Sequence, residues 1–311
     1  LKIEDFRLKT AETVGFPFPG EEKRLEPIFG IQHSTAVSPE RAPSFSRFTT
    51  MKIETKKQTR EEMSAYFAEA MQGLFEGTPE MSPIEGGRTA AEKRLAKFDV
   101  RRYGSRNHVT RGHVSRLSPY IRHGVLTLRE ARDAVFQRFG RTGEAIYKFV
   151  FELAWHQFWQ EVYKQEGDAI YDDMEDYKFE PPRWSFELPE DVEKAQTGLV
   201  CMDETLRELY ETGYLHNHAR MWFAAWLIHH RKVHWSVGER LFFKHLLDGN
   251  PPPNALSWQW VASTFATKPY YFNKQNIEKY TDGEWCKRCT VKCPFNKSYD
   301  ELADELFGRG F

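Results

Sequence analysis

No apolar run in this 311-residue chain is long enough to span a bilayer, which excludes a membrane-crossing helix as its organising element. A secretory signal, an internal repeat and a low-complexity tract are lacking too, so solenoid and fibrous classes fall away. There is no excess of either charge: 44 Lys and Arg against 45 Asp and Glu give a formal net charge of -1. Nothing in that balance attracts a phosphate backbone globally, so a nucleic-acid site must be a local basic patch. Cysteine is scarce at four residues, too few for a disulfide-stapled scaffold of this length. What remains, 40% hydrophobic and 29% charged residues, is the composition of a soluble globular protein with one large domain or two smaller ones. The expectation is a cytoplasmic monomer with no membrane partner. The chain begins at Leu1 without Met, and some N-terminal sequence is expected to be missing or processed.

Residues 1–85 read as a loop-rich extension punctuated by Pro17, Pro19, Gly20, Pro27, Gly30, Pro39 and Pro43. One helix is expected there, capped by Thr59 with Glu62 and running through Tyr66, Phe67, Met71 and Phe75. Residues 86–311 read as a mainly α domain. It opens with a helix that a second capping box, Thr89 with Glu92, is expected to start. Further on, Val114 to Tyr120 reads VSRLSPY, where Ser118 before Pro119 starts a helix whose backbone N–H groups suit an anion.

The stretch from Gly213 to Ser263 organises the rest. A helix from about Tyr214 to His230 is apolar nearly all round, as a helix buried in a large core must be. Ser236 and Glu239 stand at capping-box spacing ahead of a second helix, which Asp248 and Gly249 close before a Pro-rich corner and then Trp258 and Trp260. Core packing alone explains the tryptophans. It does not explain Asn217, Arg220, Asp248 and Asn254 among them, because buried polar groups without partners are costly.

Taken together, TGYLHNHARM, HWSVGERLF, DGN and SWQWVAS occur in one order, with ten residues from Asp248 to Trp258. This pattern resembles the FAD-binding half of the photolyase and cryptochrome family, over about Gly86 to Phe295. The resemblance implies a helical FAD-binding domain. The alternating strands and helices of an N-terminal α/β antenna domain are not legible, so no antenna chromophore is expected. On the same resemblance Ser115, Arg116, Leu117 and Ser118 hold the FAD pyrophosphate and ribityl region, and Tyr103 falls near an aromatic on the flavin. Arg220 pairs with Asp248 near the flavin N5 edge, Asn254 faces N5, and Asn250 stands where Asp is common. In the helix FVFELAWHQFWQEVY, Phe149 to Tyr163, Glu152 and Trp155 share a face. There the family hydrogen-bonds and stacks a flipped pyrimidine pair, with Trp260 also facing substrate. His156 and Gln157 depart from the usual Arg and Glu. Asn217 and Met221, one turn apart, are the pair of relatives that repair cyclobutane dimers; His216 and His218 are left unassigned. Trp258 and Trp235 match the inner and middle members of the tryptophan relay. Val192 takes the outer place, for which Trp184, Trp222 or Trp226 would have to substitute.

Cys286, Cys289 and Cys293 form C-x2-C-x3-C before Pro294, with Cys201 far upstream. Clustered thiolates in a chain without a secretory signal suit zinc or an iron–sulfur cluster better than disulfides. C-P-F-N with the distant cysteine resembles the iron–sulfur branch of bacterial photolyases, which implies a 4Fe-4S cluster on Cys201, Cys286, Cys289 and Cys293. Two functions stay open: a light-driven enzyme that repairs cyclobutane dimers in UV-damaged DNA, and a flavoprotein photoreceptor or redox protein that keeps the pocket without repair. Glu152, Trp155, Asn217, Met221 and Trp260 favour the first; the neutral net charge, the antenna domain that is not legible and His156 favour the second.

Overall fold

A computed structural model describes residues 59–73, 81–309 and 311. The Pro- and Gly-rich positions from Pro17 to Pro43, and Phe75, lie outside the described residues. The chain divides into two compact units, one including the residues from Ser82 onward and one covering Gly15–Met81. In the second, helix α1 (Arg60–Ala70) carries the expected capping box: Thr59 accepts from the Glu62 N–H and the Glu62 side chain accepts from the Thr59 N–H.

The unit from Ser82 onward is helical. In chain order it contains α2 (Arg88–Lys97), α3 (Ser118–Arg122), α4 (Leu128–Phe139), α5 (Glu144–Glu166), α6 (Glu190–Glu193), α7 (Val200–Thr212) and α8 (Asn217–Ala225). These are followed by α9 (Trp235–His245), α10 (Pro251–Ala262), α11 (Lys274–Thr281), α12 (Glu284–Arg288) and α13 (Tyr299–Phe307). Among the described residues the only β pairing outside named strands is an isolated parallel bridge between Ser185 and Val233.

Two expected caps are not used. Gly87 caps α2 without a side-chain bond, so Thr89 lies inside the helix, and Glu92 instead accepts from Arg88 at 2.7 Å. Helix α9 starts at Trp235, one residue before Ser236; the His234 ring accepts from the Ser236 N–H, and Glu239 is buried elsewhere. Helix α8 also starts later than Tyr214, after a His216 cap, and its C-terminal extension Trp226–His230 is π-helical, closed by Arg231 N–H to the Trp226 carbonyl.

The core gathers on α8, α9 and α10, with Phe223, Trp235, Phe242, Leu256 and Trp258 in one cluster. Full burial of Phe223, Leu227 and Ile228 contributes roughly 1.5–3 kcal/mol each. Helix α10 is buried over most of its length. Its first turn takes three prolines, where missing N–H groups cost nothing, and its Gln259 is fully buried yet satisfied. The Gln259 amide nitrogen donates to the carbonyls of Ile170 (2.8 Å) and Asp172 (3.0 Å), while its oxygen accepts from Met174 N–H and the Thr264 hydroxyl, both at 2.9 Å. One side chain thereby fixes the loop after α5 against the central helix.

Candidate flavin and substrate site

Helices α5, α8 and α10 enclose a cavity of about 240 Å³. From α5 it receives Glu152, Trp155 and His156, and from α8 Asn217, Arg220 and Met221; the corner before α10 and α10 itself add Asp248, Asn250, Asn254 and Trp258. The residues come from positions that helical periodicity puts on one face each: 152, 155 and 156 on α5, and 217, 220 and 221 on α8.

Arg220 donates to both oxygens of Asp248, at 2.8 and 3.0 Å, and its Nε donates to the Leu215 carbonyl at 3.1 Å. The Asp248 side chain is 5% exposed and that of Arg220 25%, so the pair is largely withdrawn from solvent on its acidic side. Asn254 spends its amide nitrogen on Glu239, at 2.9 Å to the backbone carbonyl and 2.8 Å to the carboxylate. Its own carbonyl oxygen is left as the group it offers the cavity. Asn217 approaches the Met221 sulfur at 3.6 Å, one turn away as the spacing requires. Trp155 stacks on Trp159 at 5.5 Å between ring centroids, so part of its ring system is already packed.

Glu152 stands at the cavity mouth, its side chain 45% exposed, with the Arg106 guanidinium 3.7 Å away. Desolvation raises its pKa and Arg106 opposes the rise. Two of the positions that depart from the resemblance meet: the His156 ring and the Asn250 amide approach to 3.4 Å. Burial lowers the His156 pKa, and its Nδ1 is buried with no partner. Helix α3 braces the same corner, Arg122 donating to the Gly249 carbonyl at 2.6 Å and the His123 ring meeting the Leu247 carbonyl at 2.9 Å.

Ser115 and Arg116 line a different cavity, of about 610 Å³, with Lys93, Arg94, Lys97 and His113. Its lining is locally basic, with Glu85 as its one acidic residue. Arg116, with φ 52°, lies over the Tyr214 ring at 4.9 Å, and Arg220 of the first cavity lies over the same ring at 5.8 Å. Tyr214 therefore stands between the two cavities. Leu117 is buried and Ser118 begins α3 without lining either cavity; Tyr103 is buried against Phe98 and Phe149. Trp260 does not line the first cavity but stacks on Tyr270 at 5.6 Å. Two residues along a helix turn about 200°, so Trp258 and Trp260 face opposite ways.

Sequence reasoning missed Arg106, Arg122, Tyr214 and Glu239. Tyr214 stands in the quoted TGYLHNHARM, but nothing local marks it as a divider, and Arg122 has no sequence signal at all.

Cys201, Cys286, Cys289 and Cys293 line one cavity of about 330 Å³ between α7 and α12. Burial and the neighbouring thiols push Cys201 well above the ordinary thiol range, and burial with the Glu278 carboxylate pushes Cys286 to about 11. Among the described residues no group of three or more His, Cys, Asp or Glu is placed to hold a single metal ion, and no helix is long and apolar enough to cross a membrane.

An aromatic cavity edged by a buried ion pair, a free amide oxygen and an unpartnered imidazole nitrogen suits a planar, hydrogen-bonding heterocycle; by fold and site this is a helical flavin-binding domain. Residues 149–290 match the family described as FAD binding domain of DNA photolyase. Over that stretch, just under half of its length, the chain is similar to the FAD-binding domain of DNA photolyase. It is 36% identical over 152 residues to a deoxyribodipyrimidine photo-lyase of Streptomyces griseus, 48% of this chain and 32% of that protein. It is 29% identical over 240 residues to one of Thermus thermophilus, 73% of this chain and 55% of that protein. In structure it resembles an archaeal photolyase from Sulfolobus tokodaii described with two FAD molecules, with TM-score 0.55, 28% identity and coverage of 68% and 48% of the two chains. The fold of a Synechocystis cryptochrome is also similar, with TM-score 0.59 and 23% identity over 67% of this chain and 46% of that one. The matched stretch thus spans about a third to just over half of those relatives' length.

Proposed function

We propose that this chain supports light-dependent repair of cyclobutane pyrimidine dimers in DNA, with the flavin end of FAD in the first cavity and its phosphates toward the second. The observation that carries the proposal is the single cavity in which Glu152 and Trp155 stand opposite Asn217 and Met221, with the Arg220–Asp248 pair at its edge. Reduced FAD, when bound, supplies a photoexcited electron to the dimer. Arg220 and Asp248 present a fixed donor and acceptor to the flavin edge, and the Asn254 oxygen accepts from a ring N–H. The unpartnered His156 Nδ1 gains a partner. Lys93, Arg94, Lys97 and Arg116 neutralise phosphate charge from the other side of Tyr214. Trp155 offers an aromatic face to a base taken out of the helix, and Glu152, at the mouth, hydrogen-bonds its edge.

Illuminated, reduced protein should restore a thymine dimer in an oligonucleotide, with no turnover in the dark. Glu152→Gln should slow repair more than it weakens binding, and Trp155→Ala should weaken binding by roughly 1–3 kcal/mol. Asn217 and Met221 imply that 6-4 photoproducts are poor substrates; efficient repair of those alone would overturn the assignment. The neutral His156–Asn250 pair and the turned Trp260 favour the second reading, a photoreceptor. FAD binding without repair of either lesion would select it.

For the thiols, the same reading assigns Cys201, Cys286, Cys289 and Cys293 to a 4Fe-4S cluster. Zinc takes thiolates at about 2.3 Å, whereas a cluster brings iron and sulfide atoms of its own to fill a cavity. The donor set and the cavity suit the cluster, which would supply one-electron chemistry there.

A further inference from the structure

A relay that reduces the flavin must draw its electron from the surface, and the outer position holds Val192, fully buried and without a redox-active ring. The next ring inward, Trp235, is only 1% exposed. Trp226 is a poor substitute, because the Arg231 guanidinium lies 5.2 Å from its ring centre and disfavours a positive charge there. Trp222 gives its N–H to Asn276 and packs on Phe272 and Trp285, away from Trp235.

Trp235 has a different neighbour. Its indole N–H donates to Asp173 Oδ1 at 2.6 Å, and the Tyr177 hydroxyl donates to the same oxygen at 3.3 Å. The Asp173 oxygen thus bridges the two rings. This arrangement is anchored. Buried Gln259 binds the Asp172 carbonyl and the Met174 N–H, on either side of Asp173, and the Ser263 hydroxyl accepts from the Lys178 N–H, one residue past Tyr177. His234 Nε2 is 3.8 Å from the carboxylate, whose side chain is 39% exposed. Inward of Trp235, the Trp258 ring packs directly on Gly238, one turn along α9, and lines the flavin cavity.

We propose that Tyr177 is the terminal electron donor of the relay and that Asp173 accepts its proton. The proposal rests on the reading of Trp258 and Trp235 as the path to the flavin. The oxidant is photoexcited oxidised flavin, acting through Trp258, which leaves Trp235 as a radical cation. Tyr177 gives Trp235 one electron, and its O–H bond breaks with the proton passing to the Asp173 carboxylate. The products are neutral Trp235, a neutral tyrosyl radical and a protonated Asp173, which the exposed carboxyl returns to water. A soluble thiol then supplies one electron and one proton to restore the phenol. Burial and the Asp173 charge hold Tyr177 well above the usual phenol range, so it starts protonated and the proton must leave with the electron. Trp184, 5.4 Å from Tyr177 between ring centroids, lies one step further out. Among the described residues no carboxylate accepts from its N–H.

Oxidised, FAD-loaded full-length protein is flashed with blue light, and the radical is identified by transient absorption and electron paramagnetic resonance, with and without thiol. The wild type should give a long-lived neutral tyrosyl radical. Tyr177→Phe should abolish it and slow steady flavin photoreduction at least ~10-fold, a barrier increase of about 1.4 kcal/mol. Asp173→Asn keeps the phenol but removes the proton acceptor, and should lower the tyrosyl yield to a similar degree. Trp184→Phe should change neither. An unaltered tyrosyl signal in Tyr177→Phe, or loss of the long-lived radical in Trp184→Phe, overturns the proposal. Trp258→Phe separates the two levels: unchanged photoreduction in that variant removes the relay itself, whereas its loss with Tyr177→Phe unaffected removes only the tyrosine exit.

Discussion

Asp248 is the residue on which the cavity's edge depends. Its carboxylate is 5% exposed and binds one cation, Arg220, through both oxygens. Asp248→Asn removes the counter-charge of a guanidinium whose side chain is still 25% exposed, so the variant should lose stability in urea unfolding of cofactor-free protein, but less than the roughly 3–5 kcal/mol of a fully buried pair. Its flavin retention, read from the visible bands of purified protein, should fall with it. Two histidines give a second expectation at this scale. Burial holds His216 at about 4 and His229 at about 3, both below the ordinary value, and each is almost fully buried. The unfolded chain therefore binds protons that the native chain refuses. Stability should decline as pH falls from about 6.5, by roughly 1.4 kcal/mol per pH unit for each, levelling off below the folded values. The His216 ring also accepts from the His218 N–H at the start of α8, so protonation at that nitrogen removes a helix cap. Unfolding midpoints at pH 7.5, 6 and 5 check the sign, and a midpoint that rises on acidification contradicts it.

At the scale of elements, α9 and α10 meet through Gly238. A Cβ there would lie 2.1 Å from the Trp258 ring, which Phe223 and Phe242 hold on other sides. Gly238→Ala gains about 1 kcal/mol in helix propensity but overpacks a filled contact, typically a loss of 1–3 kcal/mol. The net should be destabilising, with a changed Trp258 environment in near-ultraviolet circular dichroism; a variant more stable than wild type would mean that the two helices can separate freely. What was legible in the sequence follows from the same distinction between local and distant forces. The helix around 149–163 announces itself by apolar residues at helical spacing and the one around 217–225 by a run apolar nearly all round, while the shared faces of Glu152 with Trp155 and Asn217 with Met221 follow from spacing alone. Caps were legible only in part. Thr59 with Glu62 forms its box, while Glu239 is drawn to Asn254 in α10 and Glu92 to Arg88. The meeting of His156 with Asn250 joins residues 94 apart in sequence, and the Arg122 brace joins residues 127 apart. No local pattern encodes either.

At the scale of the whole molecule, the four cysteines bring one cavity together from segments far apart in sequence. Cys201 belongs to α7, while its three partners sit in the run through α12 and beyond, where Arg288 reaches back to Glu204 at 3.0 Å. That surface pair contributes little, commonly less than about 1 kcal/mol. A cluster bridging Cys201 and Cys286 would close a loop of about 85 residues, for which chain entropy alone gives on the order of 4 kcal/mol. Without a cluster, Cys201→Ala removes a single buried thiol and should cost about 1 kcal/mol, as an ordinary core truncation does. The two cases are far enough apart to separate. In anaerobically purified protein, Cys201→Ala should therefore lower the iron content and cost several kcal/mol in denaturant unfolding, and an iron chelator should bring the wild type down toward the variant. Equal stability of chelator-treated and untreated wild type, with a loss near 1 kcal/mol in the variant, would show that the thiols only pack.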